Sequence, residues 1–284
     1  MKKKIVETTK DYFFDLINAV VKEDFFGTAA EMAYMLTLSI FPLALLIMAV
    51  LSIIGRTSIA HKIFLILHQF APSEAVNLIE KVINEVTILK GSFIFVVLGF
   101  LTTLFLASNA INALIKGLNK SNKIKENRSF IHIRTLCVVM VFVQVFFLFF
   151  SIDLIILGRT IVNLISNYIQ IIPPWLYETI LFLRWPVAFL LLFILALINY
   201  YYLPAFDYSK ERKSVIPGAL FFTIFWLFGS WIFSIYINNF GAYNKVYGTL
   251  GAFAILMVWL YFTSIIILIG GEINNYTFNK MNKS

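Results

Sequence analysis

Between Ala252 and Ile269 the chain carries no charged residue, and about 18 to 20 apolar residues rising 1.5 Å each are what a helix needs to cross a bilayer's hydrocarbon core. This segment therefore reads as a membrane span. It is entered through Tyr247-Gly248-Thr249-Leu250-Gly251 and left through Gly270-Gly271-Glu272-Ile273-Asn274-Asn275. Mid-span Trp259 and Tyr261 and the acid at its exit are more than a lipid-facing helix needs, so the other spans are expected to pack around this one.

Apolar residues make up 60% of the 284 and charged ones 13%, against roughly 45–50% and 25% in soluble domains. Such a chain cannot clothe itself in water-facing side chains. Its net charge of +8 is spread over short hydrophilic segments between apolar runs, which fits membrane topology better than nucleic-acid binding. The lone Cys137 lies in an apolar run, so neither an intramolecular disulfide framework nor a CxxC metal site is available.

The expected fold is all-α: a polytopic bundle of six transmembrane helices with additional amphipathic interfacial helices. The spans are read at about 33–54, 93–115, 136–157, 180–203, 215–237 and 249–270, with 277–284 as a tail. Residues 1–24 set Tyr12, Phe13, Leu16, Ile17, Val20 and Val21 at helical spacing among charges, the pattern of a helix lying on the membrane or on the protein's own loops. Residues 55–91 and 160–172 carry similar amphipathic patterns. In the first span Pro42 removes a backbone donor, so a kink near residues 38–42 is expected, with Ser39 available to the freed carbonyls.

Sixteen lysines and arginines fall in the amino terminus, the second and fourth loops and the tail, against six in the other loops. That bias places both termini in the cytoplasm and requires an even number of spans. Orientation then turns sequence position into depth. Glu31, Asn109, Asn112, Asn199, Glu272 and Asn274 fall near the cytoplasmic boundary, where a carboxylate tends to face the bundle interior because even the lowest scales charge it about 2.5–3.5 kcal/mol at mid-membrane. One reading has Glu31 and Glu272 across an inward-facing polar cavity between the first, second and sixth spans, supported by Ser39 and the asparagines. The other makes each a helix-end residue reaching water. Gly248, Gly251, Gly270 and Gly271 permit close helix approach, and Asp153 and Arg184, at the outer ends of consecutive spans, are a candidate ion pair.

No catalytic, metal or cofactor motif appears: there is no GxSxG, HExxH or phosphate-binding glycine loop. No cofactor is expected.

Several segments together are similar to one family. Ala33-Tyr34 with Ser39-Ile40-Phe41-Pro42, Asn112, Tyr202-Leu203-Pro204, Pro217-Gly218-Ala219 with Trp226 and Tyr236, and above all Tyr247 to Asn274 resemble the YihY/BrkB family of bacterial inner-membrane proteins. The likeness covers about residues 20 to 276, and members often have alanine where Gly271 stands. It implies a six-span bundle in the bacterial cytoplasmic membrane. It also implies that the older ribonuclease BN label of such proteins is a misassignment, and that transport or flipping of an envelope lipid or other amphiphile is the activity to test. The alternatives are a non-transporting structural or assembly factor and, third, a membrane-bound ribonuclease. The expected partners are membrane lipids or another amphiphile, not nucleic acid.

Overall fold

The computed structural model describes residues 16–53, 93–147, 150, 174–206, 212–239 and 241–282. These form helices α1 (16–22), α2 (Phe25–Ile53), α3 (Phe93–Ser121), α4 (Phe130–Phe147), α5 (Pro174–Tyr202), α6 (Ile216–Asn239) and α7 (Gly241–Met281), with a 3-10 turn, Arg212–Val215, leading into α6. Among the described residues there is no strand. Five of the helices, α3 to α7, are long and apolar enough to cross a membrane. The first expected span falls in α2, a helix of 29 residues.

Burial is inverted relative to a soluble protein. Phe105, Phe142, Phe146, Phe182, Trp185, Phe228, Trp231 and Phe262 are exposed, whereas Ser39, Ser108, Thr223, Ser264 and Asn274 are buried. Lipid tails solvate the first group, and the second must find bonds inside. Most of the buried hydroxyls turn back onto their own helix. Thr37 donates to the Ala33 carbonyl at 2.7 Å, Thr223 to Ala219 at 2.8 Å and Ser264 to Leu260 at 2.8 Å. Each thereby occupies a small, saturated position that lets a neighbour approach. The protein is a helical, polytopic membrane protein.

Hydrogen bonds fix the pairing of helices. Ser39 with the Leu106 carbonyl and Lys120 with Thr28 run α2 against α3 in opposite directions. Gly218 with Asn274, Trp226 with Thr263 and Trp259 with Ser230 do the same for α6 and α7. Helix α7 packs on α2, α3 and α6, so the charge-free run does sit among the other helices.

Helix ends depart from the span edges read off hydropathy. Helix α7 has 41 residues, about 60 Å at 1.5 Å per residue, so it projects beyond any hydrocarbon core at one or both ends. The segment from 277 is helical as far as Met281, not a separate tail. Helix α3 continues six residues past Ile115 to Ser121, and α4 begins at Phe130 instead of 136. Apolar content marks what lipid tolerates, while a helix stops where its terminal groups are capped. Ser129 opens α4 by accepting the His132 N–H on its hydroxyl. Asp24, at φ 46°, opens α2, its carboxylate accepting the Gly27 N–H at 3.1 Å.

Residues 1–15, 55–91, 160–172 and Asp153 lie outside the described residues, as do the side chains of Pro42, Arg184, Gly248 and Gly251. The expected surface helices, the kink at Pro42, the glycine contacts at the entry of α7 and the Asp153–Arg184 pair fall there.

Candidate functional site: an apolar cavity above a polar rim

All six long helices, α2 to α7, line one cavity of about 440 Å³, within the range of small-molecule sites. Its walls are mainly leucine, isoleucine, alanine and aromatic side chains, and most of its few polar wall groups bond to one another or to helix carbonyls. Gln144 of α4 donates through Nε2 to Asn199 Oδ1 of α5 at 2.8 Å. Tyr200 donates its hydroxyl to the Ile267 carbonyl at 3.0 Å, and the indole of Trp226 reaches Thr263 Oγ1 at 3.2 Å. Ser39 serves the Met35 and Leu106 carbonyls. A guest therefore meets mainly hydrocarbon and ring faces, which suits an acyl chain.

One end of the bundle carries a rim of charge. Lys123 donates to Glu272 Oε1 at 3.0 Å; the Glu272 side chain is only 9% exposed, that of Lys123 46%. The second carboxylate oxygen, Oε2, is buried without a partner, as are Ser214 Oγ and Asn274 Nδ2. Lys123 has φ 57° and follows α3 in a Schellman cap: its N–H goes to the Lys120 carbonyl and that of Ile124 to Asn119, at 3.0 and 3.1 Å. Glycine is the usual residue at this position. Here it is a lysine, whose head group pairs with Glu272.

A second clasp joins the loop after α3 to the end of α5. Arg128 grips Glu126 through Nε at 2.8 Å and Nη2 at 2.7 Å, and Nη2 also reaches the Leu203 carbonyl at 2.8 Å. Asn119 donates to Glu126 and accepts the Ala205 N–H. The Arg128 side-chain bonds hold the Glu126 carboxyl well below the usual carboxylate range, at about 2, against the opposing effect of partial burial. Since the folded value is the lower one, the clasp stabilises the fold fully above the ordinary carboxylate value of about 4.3 and loses that contribution as pH falls from there through about 2. The stability difference between wild type and Glu126→Gln in detergent is expected to be constant from about pH 7 to 5 and to close only in that acid window. Closure at neutral pH would show that the carboxylate is not held as described.

The residues singled out from sequence separate into different places. Ser39 and Asn199 line the cavity. Glu272 and Asn274 are buried at the rim, Asn274 accepting the Gly218 N–H at 2.7 Å. Glu31 is more than half exposed and 3.7 Å from Lys116, so it does not face Glu272 across a polar cavity, although α2 and α7 do touch. Asn109 accepts from Arg134 at 3.1 Å, on the side of α3 away from the cavity-lining Ala107, Ala110 and Ile111, and Asn112 is half-buried. Gly270 and Gly271 are close-packed: a Cβ on the first would strike the Tyr200 hydroxyl, and on the second the Ser121 hydroxyl. The cavity is thus apolar and touches six helices, where a polar one between three was expected. Burial of a carboxylate depends on which way its helix is rotated, and spacing from a span edge does not record that.

Among the described residues no three His, Cys, Asp or Glu side chains converge as a metal ion would need. No solved structure matches this chain. A family model described as virulence factor BrkB matches residues 16–284. The chain belongs to the BrkB family. A ribonuclease-like protein, YfkH of Bacillus subtilis (strain 168), is 31% identical to this BrkB-family chain over 246 residues, 87% of each sequence. The UPF0761 membrane protein PSHAa0171 of Pseudoalteromonas translucida (strain TAC 125) is 26% identical over 274 residues, 92% of this chain and 84% of that one. In the sequence Lys123, Arg128 and Arg134 are three of the charges of the second loop. The signal that could have separated Lys123 from the rest is its place at the end of a helical pattern that has no glycine to close it.

Proposed function

We propose that this BrkB-family protein is a six-span protein of the bacterial inner membrane, with both termini in the cytoplasm, that binds an envelope lipid or similar amphiphile and moves it between leaflets. The observation that carries the reading is the cavity of about 440 Å³ walled by all six long helices. Its walls are mainly hydrocarbon and ring faces, a lining suited to an acyl chain more than to an ion or sugar. The Lys123–Glu272 rim, with its carboxylate buried, lies at the bundle end that the positive-inside bias assigns to the cytoplasm.

The test is protein reconstituted in vesicles and assayed for movement of a fluorescent phospholipid, beside Ala107→Phe and Ala196→Phe. Both alanines are buried in the cavity wall, and a phenyl ring there fills the space. Wild type should accelerate movement over protein-free vesicles and the two variants should lose most of that gain, while Glu31→Gln, altering an exposed pair, should keep it. Wild type no faster than empty vesicles would remove transport and favour the assembly role.

A further inference from the structure

We propose that Arg134 forms a binding site for the phosphate of an anionic phospholipid on the outer face of the bundle, between α3 and α4. The site is separate from the cavity and rests only on the protein's being in a membrane.

Arg134 lies in the second turn of α4, and its guanidinium is held firmly. Nη1 donates to Ser108 Oγ at 2.6 Å and to Asn109 Oδ1 at 3.1 Å. Ser108 is fully buried and itself donates to the Phe105 carbonyl at 2.7 Å. The guanidinium carbon stands 4.3 Å from the Phe105 ring centroid and 5.7 Å from that of Phe130. All four of these partners are neutral. Among the described residues the ion-paired carboxylates are committed elsewhere, Glu31 to Lys116, Asp24 to Lys120, Glu272 to Lys123 and Glu126 to Arg128. Among the described residues Arg134 thus has no counter-ion, and its Nε and Nη2 protons form a fork without a partner there. That fork matches two oxygens of a phosphate.

The surroundings select a lipid over a soluble anion. Phe130 is 72% and Ile131 76% exposed, and Phe105 and Leu101 are exposed on the neighbouring helix. Such side chains suit the border of the acyl region, so an anion reaching the fork there meets hydrocarbon beside it. A cation beside such apolar side chains gains from an anionic partner, and a lipid phosphate at the membrane border supplies one. Among the described residues no ring contact frames Lys125, Arg212 or Lys213 as Phe105 and Phe130 frame Arg134.

The experiment is thermal unfolding in neutral detergent, with phosphatidylglycerol, phosphatidylcholine or inorganic phosphate added, and native mass spectrometry of retained lipid. Wild type should bind phosphatidylglycerol about tenfold or more tightly than phosphatidylcholine, the worth of a charged hydrogen-bonded pair. Arg134→Gln should abolish the preference, and Arg134→Lys, which keeps charge but not the fork, should retain a minor part of it. Equal binding of both lipids by wild type, or an unchanged preference in Arg134→Gln, overturns the site. Stabilisation by inorganic phosphate equal to that by the lipid overturns the lipid as occupant. If Arg134→Gln does not fold, Arg134→Lys decides: binding equal to wild type refutes the fork.

Discussion

Replacing Gly218 with alanine is expected to lower stability by about 3–5 kcal/mol, a large part of the 5–15 kcal/mol that typically holds a domain. Gly218 opens the second half-turn of α6, where that helix crosses α7 with no side chain between the backbones. A Cβ there would collide with the Gly270 carbonyl oxygen and with the Asn274 amide. A carbonyl locked in a helix cannot swing aside, so the helices must separate, and overpacking of this kind costs about 1–3 kcal/mol or more. Separation also breaks the 2.7 Å bond from Gly218 N to Asn274. That strands a second atom on a side chain whose Nδ2 is already unpartnered, at about 1–3 kcal/mol. Gly117→Ala is the control. Its Cβ would meet the Met32 sulfur, the end of a flexible chain that can move, so a loss of about 1 kcal/mol or less is expected. At the same crossing Gly270→Ala should be partly rescued by Tyr200→Phe, which deletes the hydroxyl nearest the new Cβ. Denaturant titrations in detergent measure all four. If Gly218→Ala and Gly117→Ala lose the same amount, the backbone contact between α6 and α7 is not what the structure describes.

The helical membrane class was legible because hydrocarbon imposes a one-dimensional rule: a run such as Ala252–Ile269 is either in lipid or buried. The rotation of each helix was not, because with apolar residues all round there is little periodic signal to say which face meets a neighbour. Glu31 and Glu272 show the consequence. Both are single acids beside apolar runs, yet one is exposed beside Lys116 and the other is buried with Lys123. The asparagines divide in the same way, Asn199 on the cavity wall, Asn109 under Arg134 and Asn274 against the α6 backbone. The glycines were easier. Gly270 and Gly271 stood out as small residues at a span exit, where smallness has few uses besides close approach, although nothing in the sequence named Gly218 and Tyr200 as what approaches Gly270.

Lys123→Met should be the costlier half of the Lys123–Glu272 pair, by about 2–4 kcal/mol, even though the lysine is the more exposed partner. Removing the ammonium leaves a carboxylate with one oxygen newly unpaired and the other buried without a donor, and breaking a buried pair from one side costs about 3–5 kcal/mol, reduced here because nearly half of Lys123 is in water. Glu272→Gln removes the charge that needed compensation and leaves an amide oxygen the lysine can still reach, so it should cost less than Lys123→Met. Joining the two substitutions should therefore recover part of the loss. The cap supplies an independent check. Lysine at φ 57° carries about 1 kcal/mol of backbone strain that glycine would not. In the Glu272→Gln background, where the lysine head has lost most of its purpose, Lys123→Gly should thus be about 1 kcal/mol more stable than Lys123→Met. In the wild-type background both should lie well below the parent, because relief of the cap cannot offset a stranded carboxylate. Strict additivity of Lys123→Met and Glu272→Gln would mean that the two groups do not sense each other, and the left-handed lysine would then have no reason to be there.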